Sequence, residues 1–120
     1  MTHHMRTPRE VFDHHVAALN EANLDQVGFD YAEDALFITK DDKGVRGREA
    51  IKAWFNGVLS GPLIGAKFEA TTLIIEADIL YLEWQGTGTT HTASGVDTFV
   101  IRDGEIRVQT VKILSLAPKS

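Results

Sequence analysis

Gly95-Val96-Asp97-Thr98-Phe99-Val100-Ile101-Arg102-Asp103-Gly104-Glu105-Ile106 reads as the centre of an antiparallel hairpin. Asp103-Gly104 stands between two runs rich in β-branched residues, and Asp-Gly tolerates the positive φ angles that a tight hairpin turn demands. The two-residue period of a strand puts Asp97, Phe99 and Ile101 on one face, and Val96, Thr98 and Val100 on the other. Working outward, Lys67 to Ile75, Ile79 to Thr90, Gly95 to Arg102 and Glu105 to Leu114 are predicted strands. Glu76-Ala77-Asp78 and His91 to Ser94 are predicted turns between them. Glycines at 86, 88 and 95 lie in or beside these strands, where a bend or a close neighbour such as a ligand would explain them.

The first half has helical character. Thr7, Pro8 and Glu10 form a capping box, and Phe12, His15, Val16 and Leu19 follow at helical spacing. Asn20 to Asn23 ends this helix and caps a second one over Leu24 to Tyr31. Ala35 to Thr39 is a short strand and Lys40 to Gly44 a polar turn. A third helix spans about Arg48 to Leu59, with Ile51, Trp54, Phe55 and Val58 on one side and Gly61-Pro62 as its stop. Helices first and a strand meander afterwards argue an α+β class: one domain over 1–120, with three N-terminal-half helices on the concave face of a curved, cone-shaped antiparallel sheet.

Composition narrows the function. Seventeen acidic against twelve basic residues give a net charge of −5, which disfavours a nucleic-acid partner. With no cysteine, disulfides, thiol nucleophiles and cysteine-bound zinc are excluded. The apolar runs Leu73-Ile74-Ile75 and Ile79 to Leu82 are far too short to cross a bilayer, and Met1 to Glu10 lacks the apolar core of a secretory signal. His3 and His4 are too few for a purification tag. No spacing of histidines and carboxylates suggests a metal site. The expectation is a soluble, cytoplasmic protein with neither metal nor cofactor, and no membrane partner.

Several motifs together carry a resemblance. Asn20-Glu21-Ala22-Asn23-Leu24-Asp25 lies between two helices, Tyr31-Ala32-Glu33-Asp34-Ala35 enters a strand, and Gly47-Arg48-Glu49-Ala50-Ile51 opens the third helix. With the closing Gly95–Ile106 hairpin, this succession resembles the SnoaL-like polyketide cyclases and the ketosteroid isomerases of the nuclear-transport-factor-2-like superfamily. The resemblance spans nearly the whole chain. It implies that His15 takes the place of the isomerases' oxyanion-binding tyrosine, and Asp97 that of their protonated aspartic acid. Their general base would fall at Thr39, which cannot act as one. The acid that related cyclases and epoxide hydrolases carry on the last strand has no counterpart in Gln109-Thr110-Val111-Lys112.

His15 stands on an apolar stripe, where burial favours the neutral ring; the alternative is a core histidine satisfied by one hydrogen bond. Asp97, inward with Phe99, must be protonated or paired, and an ion pair with His15 or an arginine is its structural alternative. His14 lies a hundred degrees around the helix and is expected to be solvated. Trp84, Phe99, Trp54, Phe55, Thr39 and Ile113 are the candidate ligand-binding residues, with Phe29 and Tyr31 able to complete the helical wall. Two readings result. One is a cofactor-independent enzyme moving protons on a small apolar carbonyl or polycyclic compound, with His15 and Asp97 as its pair. The other is a non-catalytic ligand-binding or dimer-forming domain. A homodimer is expected through the outer sheet face, where Ile106, Val108 and Thr110 alternate beside Val96, Thr98 and Val100.

Overall fold

A computed structural model describes residues 6–42 and 44–120. The readings of His3 and His4, and of Lys43 within the polar turn, lie outside the described residues, as does the first half of the stretch read for a secretory signal. The elements are α1 (Pro8–Asn20), α2 (Leu24–Phe29), β1 (Tyr31–Thr39), β2 (Val45–Arg46), α3 (Arg48–Leu59), β3 (Lys67–Glu76), β4 (Ile79–Thr87), β5 (His91–Arg102) and β6 (Glu105–Pro118). Among the described residues, no helix is long and apolar enough to cross a membrane.

The helices form where local chemistry places them. Thr7 accepts from the Glu10 amide at 3.2 Å and Glu10 accepts from the Thr7 amide at 2.9 Å, so the capping box closes and starts α1. That helix buries Val11, Phe12, His15 and Ala18. In α3, Ile51, Phe55 and Leu59 recur every fourth residue and make the buried stripe. The second helix is shorter than its sequence pattern predicts. It ends at Phe29, weakened by Gly28, and Tyr31 instead opens β1 opposite Ile106.

One open six-stranded sheet runs in the order β2-β1-β6-β5-β4-β3. Every pairing is antiparallel except β1 with β6, which is parallel, so the sheet is mixed. Nothing between β1 and β6 constrains their relative direction as a hairpin would, because four strands and α3 intervene. The fold is otherwise the expected α+β arrangement, with the helices packed on the sheet's inner face: Phe12 of α1 meets Phe99 of β5 edge-on at 6.4 Å. Along β5, Ala93, Gly95, Asp97, Phe99 and Ile101 are buried while their neighbours are half-buried or exposed.

Three corrections concern the strands. The β4–β5 connection is Gly88-Thr89-Thr90, so His91 begins a strand instead of sitting in a turn. Ile106 is fully buried, not on the outer face, because a bulge at Arg107 shifts the phase of β6 against β5. Gly95 and Gly86 are explained by aromatic neighbours within the protein. The Trp84 ring lies over Gly95 and the Phe68 ring over Gly86.

A Cβ on Gly95 would stand 2.5 Å from Trp84 Cζ2 and 2.8 Å from the Lys112 carbonyl oxygen. Neither a rigid indole nor a backbone oxygen can yield cheaply. Gly95→Ala is therefore expected to lose about 1–3 kcal/mol of stability in urea titrations. Unchanged stability would show that the indole does not rest on this glycine.

Candidate functional site

Between α1, α3 and the inner sheet face lies a cavity of about 70 Å³. Its walls are mostly apolar, supplied by residues such as Phe12, Phe55, Leu82 and Phe99, and the polar groups reaching it include His15, Asp97 and Gln109. One water needs roughly 10–15 Å³, and benzene enters an engineered cavity of about 150 Å³. The space as shaped suits a few heavy atoms.

Asp97 is 7% exposed, and both of its oxygens are engaged. Trp84 Nε1 donates to Oδ1 at 2.8 Å and Gln109 Nε2 donates to Oδ2 at 3.0 Å. The Gln109 amide is oriented in turn by the Tyr31 hydroxyl, which donates to its Oε1. Tyr31 keeps that proton: burial, then the charges of Asp97 and Asp30, push its pKa well above the ordinary phenol value. Arg48 fastens the Tyr31 carbonyl with two donors, at 3.0 and 2.8 Å. Donors on both oxygens favour the carboxylate, yet burial outweighs them and lifts the pKa of Asp97 to about 7.

His15 is held by aromatic edges, with Tyr31, Phe55 and Phe99 packed against it at 5.6, 5.9 and 5.9 Å between centroids. Burial lowers its pKa to about 4, against a raising influence from Asp30 and with a smaller lowering one from His14. At neutral pH the ring is uncharged. Its Nδ1 is buried without a hydrogen-bond partner, 3.9 Å from Asp30 Oδ2.

His15 and Asp97 thus face one cavity but do not pair with each other, and Asp97 forms no ion pair with an arginine; its partners are an indole and an amide. Trp84, Phe99, Trp54 and Phe55 also line the cavity, and Ile113 lies at its rim, 41% exposed. Thr39 does not line it. Its hydroxyl accepts from the Asp42 amide at 2.8 Å in the turn after β1, while Asp42 Oδ2 accepts from Trp54 Nε1 at 2.9 Å. His14 is not merely solvated, since Asp30 and Gln26 hold its two ring nitrogens at 2.8 and 2.9 Å. Phe29 is 39% exposed and stacks under Arg6 rather than joining the helical wall.

The sequence pointed to Tyr31 only as part of the helical wall and to Gln109 only as a position without an acid, and it gave Asp30 no role. An amide on the inward phase of a strand needs partners, and that signal was available for Gln109 once the phase of β6 was known. Among the described residues, no cluster of three or more histidines and carboxylates could hold a metal.

The SnoaL-like domain family matches residues 12–109. No curated protein matches the sequence significantly. Solved structures share the fold at low identity. A nuclear-transport-factor-2-like protein of unknown function from Cytophaga hutchinsonii is 17% identical, with 89% of each chain covered and a TM-score of 0.75. A protein from Kribbella flavida proposed to be a ketosteroid isomerase is 14% identical over 94% of this chain and 82% of its own, with a TM-score of 0.77. SalBIII, an epoxide hydrolase/cyclase-like enzyme with a role in pyran ring formation in the polyether salinomycin, is 19% identical over 88% and 89%, also at 0.77. At these identities the likeness concerns the fold.

The two site residues leave opposite marks on stability. Asp97, raised from 3.8 to about 7, contributes stability that is full below 3.8 and lost as pH rises through about 7. His15, lowered from 6.5 to about 4, contributes stability present above 6.5 and lost as pH falls through about 4. Between those limits the slopes oppose one another, each about 1.4 kcal/mol per pH unit at most. Relative to wild type, the stability of Asp97→Asn should rise with pH across this window, and that of His15→Gln should fall. Urea titrations at several pH values check both. Differences that stay flat with pH would mean that neither group is shifted by burial.

Proposed function

Because the chain belongs to the SnoaL-like family, we propose that it is a small-molecule pocket protein in which Asp97 and His15 transfer protons on a small, largely apolar carbonyl compound without a cofactor. The observation that carries this reading is Asp97 itself: a buried carboxyl, fixed on both oxygens, on the wall of an apolar cavity, with a pKa of about 7. An acid poised near the working pH gives up and regains a proton with least penalty. Held in a dry site, it can also donate to oxygen where negative charge develops. His15, neutral beside it, supplies the second polar contact. The volume of 70 Å³ favours a compact ligand over a polycyclic one. The likeness to an epoxide hydrolase/cyclase-like enzyme is one of fold, and that enzyme too has a small-molecule role, in pyran ring formation.

Butanone in D₂O is a direct test, because abstraction of a proton next to its carbonyl is read as deuterium incorporation by NMR. Exchange above the buffer rate is expected for the wild type, and a loss of about a hundredfold for Asp97→Asn. A second reading, non-catalytic binding, is favoured by Thr39 lying outside the cavity and by Asp97 being the one buried acid among the described lining residues. Butanone that binds, shifting His15 resonances, yet exchanges no faster than in buffer would establish that reading instead.

The partners proposed are this small ligand and a second copy of the chain. Ile74, Ile79 and Ile38, exposed by 56, 40 and 36%, lie on the outer sheet face with half-buried Val100 and Val108, an apolar surface that pairing would cover. Sedimentation equilibrium at about 100 μM is expected to give a dimer that Ile79→Asp weakens by about tenfold or more. A wild-type monomer at that concentration would end the proposal.

A further inference from the structure

Behind His15 lies a carboxylate that the chemistry above does not use. Asp30 ends α2, has no exposed surface, and turns Oδ2 toward His15 Nδ1 across 3.9 Å. Its position is not free to relax. Arg6 Nη1 holds Oδ1 at 2.8 Å, and the same guanidinium donates to the Gly104 carbonyl at 2.9 Å from Nη2. His14 Nδ1 stands 2.8 Å from both oxygens, and the Asp30 carbonyl accepts from the Ile106 amide at 2.8 Å. The loop that carries Asp30 is therefore tied to α1 and to the start of β6.

A neutral imidazole has one N–H to place. With the proton on Nδ1, an N–H dipole faces the Asp30 oxygen. With it on Nε2, a buried lone pair would face that oxygen with no described donor bonded to Nδ1. The first arrangement is attractive and the second repulsive, in a medium that screens little. The separation exceeds hydrogen-bond length, so Asp30 acts here by its charge and not by a formed bond.

We propose that Asp30 is a positioning residue that keeps His15 as the Nδ1–H tautomer, so that Nε2 offers a lone pair to the cavity. This rests on the site proposed above and sharpens its ligand class. A bare ketone offers no hydrogen-bond donor to a lone pair, whereas a small hydroxyketone offers an O–H to Nε2 and a carbonyl oxygen to Asp97. In the proton transfer, the O–H to Nε2 hydrogen bond gives way, the C–H bond beside the carbonyl breaks and its proton goes to the freed Nε2 lone pair. The electron pair forms the C=C bond of the enol, and the carbonyl oxygen takes the proton of Asp97. His15 is left as the imidazolium and Asp97 as the carboxylate; when Nε2 returns its proton to the former carbonyl carbon of the enediol, the other hydroxyl becomes the new carbonyl and gives its proton to Asp97, which restores both.

Long-range ¹H–¹⁵N NMR on the labelled wild-type protein at neutral pH reads the tautomer directly, with His15→Gln assigning the signal. Nδ1–H is expected, and Nε2–H overturns the proposal whatever the outcome of the butanone exchange. In Asp30→Asn the preference should be lost, and a folded variant that keeps Nδ1–H removes Asp30 from the account. If that variant does not fold, the wild type still decides through two probes of equal size, hydroxyacetone and butanone. Hydroxyacetone is expected to bind about tenfold tighter, the worth of one net hydrogen bond. Equal or tighter binding of butanone overturns the proposed lone pair. Loss of deuterium exchange with the tautomer intact would instead sink only the catalytic reading.

Discussion

A carboxyl group under an apolar roof is the constraint on which this structure turns. Asp97 is placed inward by the alternation of β5, where an unpartnered charge would be prohibitive. Its neighbours are arranged to meet that demand. Trp84 must lie flat enough over β5 to aim its N–H at Oδ1, which is possible only because position 95 has no side chain. Gln109 must turn its amide nitrogen, not its oxygen, toward Oδ2, and the Tyr31 hydroxyl enforces that choice from β1. Three strands thus serve a single carboxyl on a fourth: β4 and β6 supply one donor each, and β1 acts through Gln109.

The same cavity treats its two ionisable groups in opposite ways. Burial disfavours charge on either, so an acid is pushed up and a base down. For Asp97 the opposing influence is two neutral donors, and the result lies near neutrality. For His15 the opposing influence is a carboxylate beyond hydrogen-bond reach, and the result is a ring that stays uncharged under ordinary conditions. At neutral pH the ring is therefore uncharged, and Asp97 stands near the midpoint of its ionisation. Such a pair welcomes an uncharged ligand and separates charge only as a proton moves.

Much of this architecture was legible in the sequence because it is local. The capping box of α1, the i, i+4 stripe of α3, the Asp103-Gly104 turn and the alternation around Asp97 each depend on residues a few positions apart. The motifs' order brought the fold family into view in the same way. What escaped was non-local or depended on phase. The parallel pairing of β1 with β6 joins residues more than seventy positions apart, and no turn announces it. Tyr31 was assigned to a helix because its spacing from Leu24 and Val27 fits one, but pairing with β6 won. Asp30 gave no signal at all: a lone aspartate after a short helix looks like a solvated cap until Arg6 and His14 are seen folding over it.

The bulge at Arg107 shows how a small irregularity of the sheet reaches the chemistry. Simple alternation from Gly104 would send Ile106, Val108 and Thr110 to one side together. Instead Ile106 pairs with Ile101 and is buried, and after one unpaired residue Val108 pairs with Val100. The extra residue lets Ile106 serve the core at the end of the sheet near Asp30, and still lets Gln109 and Val111 face the cavity farther along. Without it, one of these demands would fail: either Ile106 would leave the core, or Gln109 would turn outward and Asp97 would lose a donor. A bulge next to a functional group is a common device for re-aiming a side chain. Here the side chain it aims is the amide that helps a buried acid remain within reach of ionisation.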